Sequence, residues 1–139
     1  MKKYLLLLVT LLAVNLSVFA VDVPKAVADA FAKKFPAATN IKWGKENARE
    51  YEAEFKLNGR SASANFLTDG SWVETEMEIN NTELPAAASS FIKTNHPDAF
   101  IVKDFKIETA KGRITYEVEI KTGSKMKDLI FNTDGTLLK

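Results

Sequence analysis

The stretch FLTDGSWVE, residues 66–74, returns as FNTDGTLLK at residues 131–139, 65 positions further along the chain. Each copy carries an Asp-Gly pair, Asp69-Gly70 in the first and Asp134-Gly135 in the second, beside strand-forming residues. Asp-Gly in this setting predicts a two-residue hairpin turn, because such turns need positive φ and glycine adopts it at little cost. A turn that occurs twice predicts that the hairpin around it is also repeated.

A second pair of segments extends the repeat towards the N-terminus. PKAVADAFAKKFP at residues 24–36 aligns with PAAASSFIKTNHP at residues 85–97, an offset of 61 positions. Both segments place apolar residues at the i, i+3, i+4 spacing of an amphipathic helix, and the proline that closes each segment ends that helix. The sequence therefore predicts one domain, residues 21–139, made of a first repeat at 21–80 and a second at 81–139.

The strands of the two repeats also correspond. YEAEFKLNG at residues 51–59 aligns with YEVEIKTGS at residues 116–124, and both alternate apolar with polar side chains. A period of two predicts strands with one packed and one solvated face. With four strands in each repeat, we expect eight strands and both helices on the side of Tyr51, Phe55 and Val118. The predicted fold class is α+β: two tandem helix-plus-four-strand repeats form an antiparallel sheet with both helices on one face and the other face open.

The first twenty residues have the layout of a secretory signal peptide. Lys2 and Lys3 precede an apolar run, and the segment ends at Val18-Phe19-Ala20, which predicts cleavage after Ala20. The alternative is an uncleaved anchor helix, but the apolar run is short for a membrane span and no basic cluster follows it. Because the chain has no cysteine, a cysteine-linked lipid anchor is excluded. We expect a periplasmic or secreted protein with no membrane span after cleavage.

The charge of the mature chain gives no support for nucleic-acid binding, which requires a basic stripe. The full sequence has 19 Lys and Arg and 18 Asp and Glu, so removal of Lys2 and Lys3 leaves 17 − 18 = −1. Without cysteine the exported domain has no disulfides, and its hydrophobic core alone must stabilise it.

Sequence patterns that accompany catalysis are missing from this chain. Its one histidine, His96, stands at the end of the second helix, where histidine is more often a capping group than a catalytic one. No nucleophile-elbow, Walker A or dinucleotide-binding pattern occurs. Glu52 and Glu54 are close enough for paired-acid chemistry, but an open sheet face offers no desolvation to separate their pKa values. We predict that the protein is not an enzyme.

The Asp-Gly turns make calcium the one cofactor to consider. Asp69 and Asp134 are weak candidate ligands, and Glu74 follows the first of them. An EF-hand loop needs several oxygen ligands at fixed positions, and neither turn supplies that set. Turn geometry alone accounts for both pairs, so we predict no cofactor and keep calcium as an alternative.

The outward positions of the strands are rich in acidic residues, although the whole chain is nearly neutral. We predict that this acidic face, with an indole at its edge, attracts a basic protein partner and anchors it. The alternative is a solvated face that only prevents edge-to-edge pairing of sheets. The predicted binding residues are Trp72, Glu52, Glu54, Glu74, Glu76, Glu117 and Glu119.

In the second repeat, the same alternation places a more apolar set of side chains on the outward face. Val102 and Asp104 are expected to point outward, followed by Lys106 and Glu108 in the same strand. An apolar patch, to which a partner or a second copy of the chain could bind, is expected from Val102, Met126, Ile130 and Leu137.

The helix VPKAVADAFAKKFP, the strand YEAEFKLNG and the hairpin F-x-x-D-G-x-W-x-E, behind a signal peptide, resemble the PepSY-like domain family. That resemblance implies small exported bacterial proteins with a fold like the β-lactamase inhibitor protein, which bind partners or inhibit enzymes through the open sheet, and some of which are linked to calcium. Our leading hypothesis is a non-enzymatic exported binding module, with protein inhibition as its implied form. The alternative is a periplasmic protein that binds or senses calcium or a small ligand.

Overall fold

The computed structural model describes residues 21–138, which form two helices, one short 3-10 turn and seven strands. The predicted signal peptide, residues 1–20, lies outside the described residues. In chain order the elements are α1 (Lys25–Lys34), β1 (Thr39–Lys45), β2 (Glu50–Leu57), β3 (Arg60–Leu67), β4 (Trp72–Ile79), the 3-10 turn (Asn81–Glu83), α2 (Ala86–Asn95), β5 (Phe100–Thr109), β6 (Ile114–Thr122) and β7 (Lys125–Asn132).

All seven strands belong to one antiparallel sheet, and their spatial order follows the sequence from β1 to β7. The predicted fold class is confirmed, with one difference in the second repeat. The segment after Gly135, expected as an eighth strand, makes a single bridge between Leu137 and Phe131. Leu138 also donates its backbone N–H to the Ile130 carbonyl, so this segment pairs with part of the outer edge of β7.

The two helices begin and end at equivalent positions. Pro24 and Pro85 are the N-cap residues, and the Pro24 carbonyl accepts hydrogen bonds from the first turn of α1. Phe35 and His96 are the C-cap residues, and the backbone N–H of His96 donates to the Ile92 carbonyl. Each C-cap residue precedes a proline, which disfavours a helical conformation in the residue before it.

Each helix covers its own hydrophobic core on the same face of the sheet. Under α1, the ring of Phe31 packs edge-on against Phe55 and Phe66. Under α2, the ring of Phe91 packs edge-on against Phe131. Burial of each large apolar side chain contributes about 1.5–3 kcal/mol, so these two cores fix the helix-covered face. The first core contains Val27, Phe31, Phe35, Tyr51, Ala53, Phe55, Ala62, Ala64 and Phe66, and the second contains Leu84, Ala88, Ile92, Val118, Ile120, Leu129 and Phe131.

The duplicated Asp-Gly turns bring each hairpin into contact with a helix. Gly70 has φ of +88° and Gly135 has φ of +82°, as a turn of this kind requires. A Cβ atom on Gly70 would lie 2.6 Å from the carbonyl oxygen of Ala26, and one on Gly135 would lie 2.6 Å from the Cβ of Ala87. Glycine is therefore required at each turn for two reasons: the positive φ of the backbone and the close contact with the helix.

The loop around each of these glycines has three residues, where the sequence analysis expected two. In the first hairpin, the N–H of Leu67 donates to the carbonyl of Ser71 at 2.8 Å, and the N–H of Gly70 donates to the carbonyl of Leu67 at 2.9 Å. This pairing closes a loop of Thr68, Asp69 and Gly70, the three-residue hairpin whose last position is left-handed. The additional residue places Trp72 opposite Phe66, on the side of the helices.

Candidate binding face

The face of the sheet opposite the helices is called the open face below. Its side chains lie in rows that run across the strands, because residues paired in neighbouring strands point to the same side. One row contains Lys42, Glu54, Ser63, Glu76 and Ile107, taken in order from β1 to β5. The parallel row beside it contains Gly44, Glu52, Asn65, Glu74 and Thr109.

Glu52, Glu54, Glu74 and Glu76 form the acidic cluster. The first two lie on β2 and the last two on β4, with small polar side chains of β3 between them. Strand neighbours are about 4.8 Å apart, so the β2 and β4 carboxylates face each other across roughly 10 Å. A cationic side chain placed over β3 could therefore approach carboxylates from both strands.

Burial raises the pKa of several of these carboxyl groups. The pKa of Glu76 rises to about 7, first because the group is buried and then because Glu117, Glu74 and Glu52 repel its charge. Lys103 lowers that pKa by a smaller amount. Burial is also the main cause of the raised pKa of Glu52 and of Glu74, and repulsion from neighbouring glutamates adds to it.

The remaining two predicted glutamates, Glu117 and Glu119, lie on β6. Glu119 is opposite Lys103 of β5, and Glu117 is opposite Phe105. All six glutamates selected from the sequence therefore lie on the open face, but β5 separates them into two groups. The alternation of the sequence predicted their side of the sheet correctly, and their role in binding stays a prediction.

The sequence-based placement of Trp72 on the open face is wrong. The pairing of β3 with β4 is irregular between Asn65 and Phe66, so that Phe66 is opposite Trp72 while Asn65 is opposite Glu74. This β-bulge adds one residue, and one extra residue moves a side chain to the other face. The indole consequently packs against the core under α1 and donates a hydrogen bond to Thr75 Oγ1 at 3.0 Å.

The indole of Trp72 also lies beneath a cation from the first helix. The Nζ atom of Lys34 is 3.5 Å from the centroid of the Trp72 ring. A cation–π contact of this kind joins the end of α1 to the start of β4. Trp72 thus has a structural contact on the helix side and does not lie on the open face, where the sequence predicted it.

The predicted orientation of β5 is wrong as well. Its pairing with β6 is irregular between Ile101 and Lys103, which places Asp104 opposite the buried Val118 and Phe105 opposite Glu117. The bulge at Val102 reverses every later side chain of the strand. Lys106 and Glu108 consequently share the helix side with Asp104, whereas Phe105 and Ile107 lie on the open face.

This reversal changes the composition of both faces. Asp104 is buried on the helix side, its Oδ1 has no hydrogen-bond partner among the described residues, and burial raises its pKa to about 6. The apolar patch expected from Val102, Met126, Ile130 and Leu137 is only partly formed. Met126 and Ile130 lie on the open face opposite Lys121 and Glu117, whereas Leu137 is opposite the buried Phe131.

The open face is concave over β1–β5, where it encloses a groove of about 830 Å³. The acidic cluster lies in the groove, with Lys42 from β1 and with Lys103 and Phe105 from β5. A groove of this size is within the range of ligand-binding clefts in proteins.

Neither Asp-Gly turn has the arrangement of a metal site. The Oδ1 atoms of Asp69 and Asp134 accept the backbone N–H groups of Ser71 and Thr136, at 2.8 and 2.9 Å. Those hydrogen bonds lower the pKa of both carboxyl groups. Within residues 21–138, no three acidic or histidine side chains are grouped so that they could hold one metal ion.

One family model matches most of the chain. The family model described as "Putative beta-lactamase-inhibitor-like, PepSY-like" matches residues 13–59 and 49–139. The chain belongs to the PepSY-like family. Two matching segments within one chain agree with the tandem arrangement of helix and strands.

Solved structures from Bacteroides resemble this PepSY-like chain. A BLIP-like protein of Bacteroides fragilis is 28% identical, with a TM-score of 0.71, and the match covers 86% of this chain and 85% of that one. A protein of Bacteroides eggerthii described as "putative periplasmic" is 21% identical, with a TM-score of 0.77, and the match covers 84% of this chain and 86% of that one. No curated protein matches the chain.

Neither helix of the described residues is long and apolar enough to cross a membrane.

Proposed function

We propose that this PepSY-like protein is an exported, non-enzymatic binding module whose open face takes a basic region of another protein. The observation that carries the proposal is the crowding of Glu52, Glu74 and Glu76 in a concave groove, where burial and repulsion from neighbouring glutamates raise the pKa of each. A cation in that groove would relieve the repulsion, so the electrostatic complement of the groove is a lysine or arginine side chain.

The ion pairs found within residues 21–138 do not neutralise the carboxylates of the groove. The two salt bridges found among the described residues, Lys25 with Asp29 and Arg60 with Glu83, involve none of Glu52, Glu74 and Glu76. Lys103 lowers the pKa of Glu76, but burial and repulsion outweigh it. A partner's cation would add to the partial compensation that Lys103 provides.

The comparisons support the same function. The Bacteroides fragilis structure is described as BLIP-like, that is, like the β-lactamase inhibitor protein, and this favours protein binding. The binding would then inhibit an enzyme outside the cytoplasm. Export is supported by the signal-peptide layout of residues 1–20 and by the periplasmic description of the Bacteroides eggerthii protein. A protein partner is favoured over calcium because Asp69 and Asp134 already accept backbone hydrogen bonds.

A quantitative capture experiment tests the proposal. The mature protein is immobilised, a periplasmic extract is passed over it, and bound proteins are quantified for the wild type and for the triple variant Glu52→Gln/Glu74→Gln/Glu76→Gln. We expect a basic protein to bind the wild type, to elute with increasing salt and to be lost from the triple variant.

A variant with the same change in charge provides the control. Asp22, Asp29 and Asp98 are exposed and lie outside the sheet, so Asp22→Asn/Asp29→Asn/Asp98→Asn removes three acidic groups and leaves the groove intact. This control should retain the partner. Retention of every bound protein by the triple glutamine variant would contradict the proposed site.

A further inference from the structure

The reversal of β5 creates an apolar strip on the open face, directly beside the acidic cluster. Phe105 and Ile107 of β5 are half-buried, and neither belongs to the cores under the helices. These two residues are called the apolar strip below. Ile107 is paired with Glu76, and Phe105 lies between Glu78 on β4 and Glu117 on β6.

The acidic cluster and the apolar strip form one continuous surface. The concave groove already extends from the acidic cluster to Phe105, so the two parts share a wall. Paired side chains on neighbouring strands have Cβ atoms about 5 Å apart, which places Ile107 within contact distance of any group bound at Glu76. A ligand of the carboxylates therefore also meets apolar side chains, and a purely ionic ligand leaves those side chains in water.

The spacing of the two parts limits what can fill both. A cation over β3 reaches the carboxylates of β2 and β4, and from β3 to β5 is two strand spacings, about 10 Å, which an extended chain covers in about three residues. A segment that crosses the strands can thus place a basic side chain over β3, beside Glu76, and an apolar side chain over Phe105. Side chains that bind in this way combine charge complementarity with burial of apolar area, the combination typical of interface anchors.

We infer that the open face recognises an extended segment of a basic protein in which a lysine or arginine stands about three residues from an aromatic or large aliphatic residue. This inference rests on the proposed function and adds a sequence requirement to it. The basic residue contacts the acidic cluster, and the apolar residue contacts the apolar strip. A polybasic segment without apolar residues is predicted to bind more weakly, because it uses one part of the surface.

Synthetic peptides test this requirement with the intact mature domain. The first short peptide carries Lys and, three residues later, Phe in a Ser and Gly background. The second replaces Phe by Ser, and the third replaces Lys by Ser. In a fluorescence-anisotropy titration we expect the first peptide to bind about tenfold more tightly than either of the others.

Variants of the acidic cluster and of the apolar strip separate the effects of charge and of apolar contact on peptide affinity. Phe105→Ser should remove the tenfold advantage of the first peptide and leave the affinity for the second unchanged. Glu76→Gln should weaken binding of both lysine-containing peptides. Ile107→Thr is a second test of the strip if Phe105→Ser lowers the stability of the fold, because threonine keeps the β-branched shape. We expect this variant to lower the affinity for the first peptide about threefold and to leave the affinity for the second unchanged.

The outcomes separate this inference from the proposed function. Equal affinity for the first two peptides, with no effect of Phe105→Ser or Ile107→Thr, overturns the apolar requirement and leaves the acidic site standing. Failure of both lysine-containing peptides to bind at millimolar concentration overturns the proposed function together with the inference.

Discussion

The charge of Glu76 should destabilise the folded protein, and replacing it by glutamine should show by how much. In the folded state the pKa of this carboxyl group is about 7, compared with an ordinary value of 4.5. Between those two values the folded state binds more protons than the unfolded chain, so stability falls as the pH rises from 4.5 to 7. Glu76→Gln keeps the shape and polarity of the side chain and removes its charge.

The size of the effect follows from the same pKa values. The difference between 7 and 4.5, at about 1.4 kcal/mol per pH unit, gives an upper bound of about 3–4 kcal/mol for complete ionisation. Rearrangement of the open face and solvent screening reduce that figure, so we expect Glu76→Gln to raise the free energy of unfolding by about 1–3 kcal/mol at pH 8.5. At pH 4, below both pKa values, the carboxyl group is mostly protonated in the folded and in the unfolded state, and the two proteins should differ by less than about 0.5 kcal/mol.

Urea denaturation monitored by tryptophan fluorescence measures both values. The comparison between variant and wild type at each pH isolates Glu76, because the other titrating groups are common to the two proteins. Asp98→Asn, at an exposed position outside the sheet, controls for the loss of one negative charge. Equal stability of Glu76→Gln and the wild type at pH 8.5 would refute the claim that the open face holds destabilising charge.

Four further results are expected. Gly135→Ala should cost about 2–4 kcal/mol in denaturation experiments, because its Cβ would clash with Ala87 at positive φ, whereas Gly123→Ala, with nothing within 4 Å, should cost about 1 kcal/mol. Asp104→Asn should stabilise the protein at pH 8 by about 1 kcal/mol and have little effect at pH 3, since burial raises the pKa of Asp104 from 3.8 to about 6 and the carboxyl group is protonated in both states below 3.8. Trp72→Ala should lower stability by about 2–4 kcal/mol and leave peptide affinity unchanged, because the indole lies on the helix side. Millimolar Ca²⁺ should shift the melting temperature by less than about 1 °C in differential scanning fluorimetry, and a larger shift would favour the calcium alternative.

The alternation of apolar and polar residues predicts the sides of β2 and β6 correctly, because a helix covers one face of each. Tyr51 and Phe55 lie in the core under α1, and Val118 and Ile120 lie in the core under α2. Where a helix is present, the burial of apolar side chains decides which face is inward. The duplicated turns were equally informative, because Asp-Gly has a direct conformational meaning.

The same rule fails in β5, which lies between the areas that the two helices cover. Among its residues, Ile101 is the one that packs against either core. Glu108 is exposed on the helix side, and Lys106 is half-buried there, so polar side chains are tolerated on that side of the strand. The bulge at Val102 then fixes the register, and a single inserted residue leaves no trace in the hydropathy pattern. Phe105 and Ile107 were for this reason absent from the sequence-based site.

Methyl NMR of isoleucine residues during titration with the Lys-and-Phe peptide tests the central claim most directly, since isoleucines occur on both faces of the sheet. Ile107 and Ile130 report on the open face, whereas Ile92 and Ile120 are buried under α2. Binding at the open face predicts large, saturable shifts of the Ile107 and Ile130 methyl signals and small shifts of the other two. Saturable shifts confined to Ile92 and Ile120, with Ile107 and Ile130 unchanged, would contradict it.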